Sequence, residues 1–286
     1  MNRREFIKAG AGLLAVSGCR GLFCERERAG FSLAMAGITL VKFKTDAALD
    51  FCERHGFRAL CVKDFHLPFE ATASEIAAFR RKCADRGITP YAAGPIYITS
   101  ADEAKRRFDY AAALGVDLVV GVPCVKKDKG WLGMFGDRAL CELCAKLADE
   151  YRMRFAIHNH GQNATADGNP NLYPTVPAID EIIRDLGPRM GFCVDWAYTY
   201  ADGFDCERIA RTYADRIFDG HVRCISNPRN GASGVNPAQR VFDYGGIFAA
   251  LGACGYSGRL GLELANAFPD NPQWIDESRD YFNGLI

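Results

Sequence analysis

Short apolar runs alternate with amphipathic stretches along almost the whole chain. The runs Phe31–Met35, Ala59–Lys63, Pro90–Ala93, Leu118–Gly121, Phe155–His158, Gly191–Asp195, Ile217–Val222 and Leu260–Leu264 have the length and composition of buried strands. Between them, Thr45–His55, Ser74–Arg86, Ala101–Leu114, Asp137–Tyr151, Val176–Leu186, Cys206–Asp215 and Tyr244–Cys254 repeat their apolar positions at helical spacing, and a last helix is predicted over Pro272–Phe282. Gly56, Gly87, Gly115 and Gly187 stand where helices should stop, as left-handed C-terminal caps. Parallel strands need long crossovers, so strand–helix alternation predicts a parallel sheet. Eight such units fit the ~250-residue norm of a (β/α)8 TIM barrel. An open doubly wound sheet is the alternative, but no glycine-rich phosphate loop follows any strand. No Pro-, Ser- or Gly-rich linker divides the chain, so residues 30–286 are read as one barrel domain. Two loops exceed what a barrel needs, His160–Pro174 and Ile225–Arg240; both follow strands and so belong to the catalytic face.

Composition narrows the class. With 286 residues, 49% of them hydrophobic and 24% charged, the chain is an ordinary folded protein. Its apolar runs fall short of the ~20 residues a spanning helix needs. Formal net charge is zero, without the basic surplus a nucleic-acid partner demands, so none is expected. Residues 1–19 have a charged start containing Arg3-Arg4, Phe6 and Lys8, then small and apolar residues to Gly18. That arrangement describes an export signal and resembles the twin-arginine type. Val16-Ser17-Gly18-Cys19 also resembles a lipobox, which makes Cys19 a candidate lipid anchor. The expected location is the periplasm or cell envelope. Of twelve cysteines, Cys61, Cys193 and Cys224 lie in strand-like runs and Cys141-x-x-Cys144 in a helical pattern, so most are read as buried free thiols.

Ionisable residues gather at the carboxyl ends of the later predicted strands. His158 and His160, Asp195, His221 and Glu263 fall there, and the steps between His158, Asp195, His221 and Glu263 bracket the roughly 31 residues of one βα unit. Alternation along a strand puts His158 and His160 on one face and Asn159 on the other. Carboxylates buried together without a cation cost several kcal/mol each, about what an uncompensated charge costs. A divalent ion bound by His158, Asp195, His221 and Glu263 resolves that conflict. Mixed nitrogen and oxygen donors suit Mn, Co, Fe or Zn. The competing reading is a metal-free hydrogen-bonded network of the same side chains.

The segments Val62–Pro68, Ala156–Gly161, Gly191–Asp195, Gly220–Arg223 and Gly258–Glu263 together resemble the xylose isomerase-like TIM barrel superfamily, the sugar phosphate isomerases and epimerases. Within it they are most similar to an exported branch marked by His158-Asn159-His160. The resemblance implies one divalent ion on His158, Asp195, His221 and Glu263. Many members carry Glu at the His158 position and use it with the Glu263 equivalent as an acid–base pair across the sugar. Members often carry His where Tyr198 stands, and Lys-Asp where Arg223-Cys224 stands.

The expected activity is a metal-dependent isomerase or epimerase acting on a sugar or keto-sugar through an enediolate. A hydratase or lyase acting on a 3-keto-sugar or glycal is the first alternative, and a non-catalytic sugar-binding lipoprotein the second. A metal-dependent nuclease on the same barrel would need a basic groove and more ligands than five histidines allow. Glu263, His160, His66 and Lys63 are the candidate catalytic residues; Tyr198, Arg223 and Trp196 are candidate substrate-binding residues. Trp196, Tyr97 and Trp131 are also aromatics able to stack on a sugar, a pattern that equally describes wall or core.

Overall fold

Among the described residues, six of the nine α-helices start where a short polar side chain holds a first free amide. The computed structural model describes residues 30–162, 168–229, 231, 234–264 and 272–286; the expected export signal at 1–19, with Cys19, lies outside the described residues. In chain order the elements are β1 (Ser32–Ala36), α1 (Thr45–Arg54), β2 (Ala59–Val62), α2 (Ala73–Asp85), β3 (Thr89–Ile98), α3 (Ala101–Leu114), β4 (Leu118–Lys126), β5 (Met134–Gly136) and α4 (Arg138–Tyr151). They continue as β6 (Arg154–His158), α5 (Val176–Ile183), β7 (Met190–Asp195), α6 (Trp196–Ala201), α7 (Cys206–Tyr213), β8 (Ile217–Val222), α8 (Gly245–Ala253), β9 (Arg259–Leu262) and α9 (Gln273–Asn283). Thr72 and Glu75 form a reciprocal capping box on α2, and Ser100, Asp137, Thr175 and Asp205 each accept an amide at the start of α3, α4, α5 and α7. Gly115 closes α3 with φ 83°, a left-handed conformation that costs a residue with Cβ about 1 kcal/mol or more.

Eight parallel strands close the barrel. Their hydrogen-bonded order is β3-β2-β1-β9-β8-β7-β6-β4, and β3 pairs with β4 to complete the cylinder. The expected (β/α)8 TIM barrel is therefore the observed fold. Two elements were not foreseen. β5 is an antiparallel strand that folds back on the end of β4. The second, α6, begins immediately after Asp195, with the Asp195 carboxylate as its N-terminal cap. β3 and β4 also run beyond their expected ends, because both continue past the barrel rim.

The core has two parts. A large apolar cluster lies between the strands and the helices, with Phe108, Phe155, Phe192, Phe248 and Leu260 among its members. A smaller one, including Cys61, Ala92, Val120, Ala156 and Cys193, shares strand faces with the residues of the polar site and lies below them inside the barrel. The ten described cysteines are free thiols, nine of them buried, in line with the expectation. Among the described residues no helix is long and apolar enough to cross a membrane.

Register at β7 fixes the height of the site, and Gly191 sets how close β7 and β8 approach. A Cβ on Gly191 would lie 2.2 Å from the Arg216 carbonyl oxygen, which is backbone and cannot rotate away. Gly191→Ala is expected to cost about 1–3 kcal/mol through forced strand separation. A denaturant midpoint unchanged from wild type would contradict this.

Candidate metal centre

Strand alternation delivers the polar residues to one end of the barrel. Asp195 on β7 lies in register with His221 on β8, and the Glu263 amide, just past β9, donates to the Val222 carbonyl at 3.0 Å. His158 ends β6, beside Cys193 of β7. One donor atom from each of His158, Asp195, His221 and Glu263 lies within 4.8 Å of all the others. His158 Nε2 is 3.0 Å from His221 Nδ1, which is 2.6 Å from Glu263 Oε2, and Asp195 Oδ2 is 3.9 Å from His158 Nε2. All four candidate ligands expected at the strand ends are thus brought together.

The strand ends are held rigidly. Asn159, on the opposite face of β6, accepts the Asp195 backbone amide at 2.8 Å. Asp195 Oδ1 in turn accepts the Tyr198 amide at 2.9 Å, so the same carboxylate caps α6 and faces the cluster. A carboxylate at a helix N-terminus is stabilised by the helix dipole as well as by the bond.

Arg223 dominates the electrostatics. Its guanidinium, 1% exposed, donates to Asp195 Oδ2 at 2.7 Å and to the Gly231 carbonyl at 2.5 Å, and lies 3.1 Å from Glu263 Oε1. It also sits over the Tyr198 ring, 4.6 Å from its centroid. Burial raises the Glu263 carboxyl, but Arg223 and His221 outweigh it and hold Glu263 well below the usual carboxylate range. Asp195 is pushed up to about 6 by burial against the pull of Arg223, and remains ionised at neutral pH. Burial opposes a charge on His221, yet the Glu263 carboxylate, with Asp219 and Asp195 behind it, keeps that imidazole above the ordinary histidine range. Burial, then His221 and His160, drives His158 well below that range, so it is neutral.

The donor set fits a divalent cation. His221 Nδ1 faces both Glu263 and His158, and one N–H cannot serve two acceptors. The four atoms therefore hold a surplus of lone pairs converging on one point. Metal–ligand bonds of 2.0–2.2 Å set neighbouring donors roughly 3.3 Å apart in a tetrahedron, and the observed 2.6, 3.0 and 3.9 Å bracket that spacing.

The remaining expected site residues divide sharply. His160 borders the cluster, its ring centroid 4.9 Å from that of His158, with its Nε2 3.0 Å from the Tyr97 hydroxyl. Burial lowers His160 to about 4, so its imidazole is neutral. Trp131 packs edge-on against His160 at 5.2 Å, held by Asn169, whose amide donates to the Trp131 carbonyl at 2.7 Å. Asn169 comes from the long loop after β6, so that loop does build a wall of the site. Lys63 donates to the Pro95 carbonyl at 2.6 Å, and burial lowers its pKa despite the pull of Asp64 and Glu263.

Three expectations need correction. His66 does not join the cluster: its Nε2 bonds the Leu40 carbonyl at 3.0 Å, and the residue lines a 360 Å³ groove between the outer helices α1 and α2. Trp196 is fully buried in the outer core, packed against Gly220, because it directly follows Asp195 and so faces the other way. Arg223 is engaged by two carboxylates and a carbonyl, not held open for substrate. Tyr198 is 9% exposed and supports the Arg223 guanidinium. In place of Trp196, the aromatic wall is made by Tyr97 and Trp131.

Comparison with known proteins places the fold. The profile described as xylose isomerase-like TIM barrel matches residues 49–285. No curated protein sequence matches the chain. Among solved structures, a xylose isomerase domain protein from Alicyclobacillus acidocaldarius is similar with a TM-score of 0.72 at 16% identity, covering 90% of this chain and 98% of its own. The IolI protein, described with a bound zinc atom, has a TM-score of 0.69 at 18% identity, covering 89% and 97%. A sugar phosphate isomerase/epimerase from Parabacteroides distasonis has a TM-score of 0.59 at 14% identity, covering 90% and 95%. At these identities the structures speak for the fold alone.

Proposed function

The chain belongs to the xylose isomerase-like TIM barrel family, and from that premise we propose that it is a divalent-metal-dependent isomerase or epimerase of a sugar or keto-sugar. The observation that carries this reading is the convergence of His158, Asp195, His221 and Glu263 within 4.8 Å at the barrel mouth. The zinc of the IolI relative and the sugar phosphate isomerase/epimerase relative support it by analogy. What a divalent ion supplies, when held by those four residues, is polarisation of a substrate carbonyl, which acidifies the neighbouring C–H bond.

The protein's own side chains then handle the proton. Glu263 stays ionised between Arg223 and His221, so it is a ligand and a poor proton donor. The His158 position holds a neutral imidazole where many relatives hold Glu, which removes one arm of a two-carboxylate pair. His160 stands beside the four donors as a neutral imidazole; burial lowers its pKa to about 4, so it is a weak base that takes up only a proton already acidified by a polarised carbonyl. Tyr97 orients that ring, and Trp131 shields it from water. Removal of a proton beside the carbonyl gives an enediolate; its return to the adjacent carbon isomerises, and its return to the opposite face epimerises. A base on one wall suits transfer between adjacent carbons. The Tyr97 hydroxyl, a poor acid because burial raises its pKa, is still a hydrogen-bond donor beside His160, and a donor there favours a second reading, hydration or dehydration of a 3-keto-sugar, in which it holds the departing or entering oxygen. In either case the mature enzyme acts outside the cytoplasm, as residues 1–19 imply.

The test is a panel of keto-sugars and glycals incubated with Mn- or Zn-loaded protein in deuterated water. Deuterium uptake without net addition of water is the expected result. His160→Gln should slow that exchange by about 10²–10⁴-fold, the usual contribution of a general base. Equal turnover by chelated protein would end the metal-dependent reading.

A further inference from the structure

Below the four ligands lies a donor that the isomerase reading leaves unused. Cys193 sits two residues before Asp195 on β7, so it points into the barrel on the same face, one pleat deeper. It pairs in register with His158 on one side and Asp219 on the other. Its sulfur and one nitrogen each of His158 and His221 lie within 4.8 Å of one another, and all three residues are buried. Each imidazole also has a second buried nitrogen, His158 Nδ1 and His221 Nε2, that lacks a hydrogen-bond partner. Ligating histidines ordinarily give that nitrogen a partner. Two under-satisfied imidazoles beside a thiol form a donor set distinct from the two carboxylates above.

We propose that the centre offers a second, deeper ion position in which the Cys193 sulfur joins His158 and His221, and that this position takes soft or borderline divalent cations such as Zn, Cd or Co in preference to Mg or Mn. The inference rests on reading the barrel mouth as a metal centre. Its balance is simple: the sulfur–metal bond forms as the S–H bond breaks, and the proton passes to solvent. Thiolate donors favour soft and borderline ions, whereas the upper carboxylates suit harder ones. The lower position shares both histidines with the upper one, so one ion occupies either, and Arg223, bonded to the carboxylates, stays undisturbed when it is the lower.

Metal-free full-length protein titrated with Co²⁺ tests this without any substrate. Wild type is expected to develop near-ultraviolet sulfur-to-cobalt charge transfer together with visible d–d bands. Cys193→Ser and Cys193→Ala should lose the charge transfer and keep the d–d bands, while Cys61→Ser, altered at another buried thiol of the same inner cluster, should keep both. Cd²⁺ affinity should fall about tenfold or more in Cys193→Ala, with Mn²⁺ affinity little changed. d–d bands without charge transfer in wild type would overturn this proposal alone. No bands of either kind would overturn it together with the metal-centre reading.

Discussion

Arg223→Met should destabilise the metal-free protein by about 3–5 kcal/mol, the range for removing one partner of a buried ion pair. Asp195 and Glu263 share that guanidinium at 2.7 and 3.1 Å, and Asp195 is fully buried. Without it, the two carboxylates lose their directly bonded guanidinium and keep His221, with Lys63 farther off, as counter-charge. The effect should depend on metal. In chelator the full loss is expected; with saturating Zn²⁺ or Mn²⁺ much of it should return, because a dication at the carboxylates replaces the missing charge. Metal affinity should rise in the variant, since the competing cation is gone. Denaturant unfolding of wild type and variant, with and without metal, reads all three effects. If Arg223→Met in chelator unfolds at the wild-type midpoint, the guanidinium is not the counter-ion described here.

His221→Ala should abolish metal retention. Wild type, loaded and dialysed, is expected to keep about one equivalent of a first-row divalent ion, as a single four-donor site does. His221 is the hub of the cluster, within 3.0 Å of His158 Nε2 and 2.6 Å of Glu263 Oε2. Its removal deletes one donor and leaves Glu263 tied to Arg223 alone. Added imidazole should restore part of the binding by entering the space the side chain leaves. Chelation of wild type should lower its stability by about 2.7 kcal/mol relative to metal at a hundred times its dissociation constant, yet leave it folded, because Arg223 already compensates the carboxylates. Elemental analysis and melting curves decide it. An ion content that is the same in His221→Ala and wild type would move the metal elsewhere.

The sequence by itself determined the barrel and the four candidate ligands His158, Asp195, His221 and Glu263. Apolar runs separated by helical stretches that end in glycine require a parallel sheet with outer helices, whatever the side chains do. Period-two alternation then decides which residues look inward: His158 and His160 together, Asn159 away. The same rule turns Trp196, which directly follows Asp195, outward into the apolar core and away from any sugar.

What only the tertiary structure decided is pairing across distance. Nothing local tells Arg223 to choose Asp195 and Glu263, residues 28 positions earlier and 40 later, over a substrate. The short helix α6 exists because Asp195 caps it after a strand ends, and β5 because β4 overruns the rim. Tyr97, Trp131 and His160 come from three separate segments and meet at the mouth, where Asn169 of the segment after β6 holds Trp131. His66 goes the other way, since the Leu40 carbonyl captures it outside the cluster. Periodicity fixes the direction a side chain takes from its own backbone. The partner it finds depends on how non-neighbouring strands and loops pack, and burial then makes each such partnership energetically decisive.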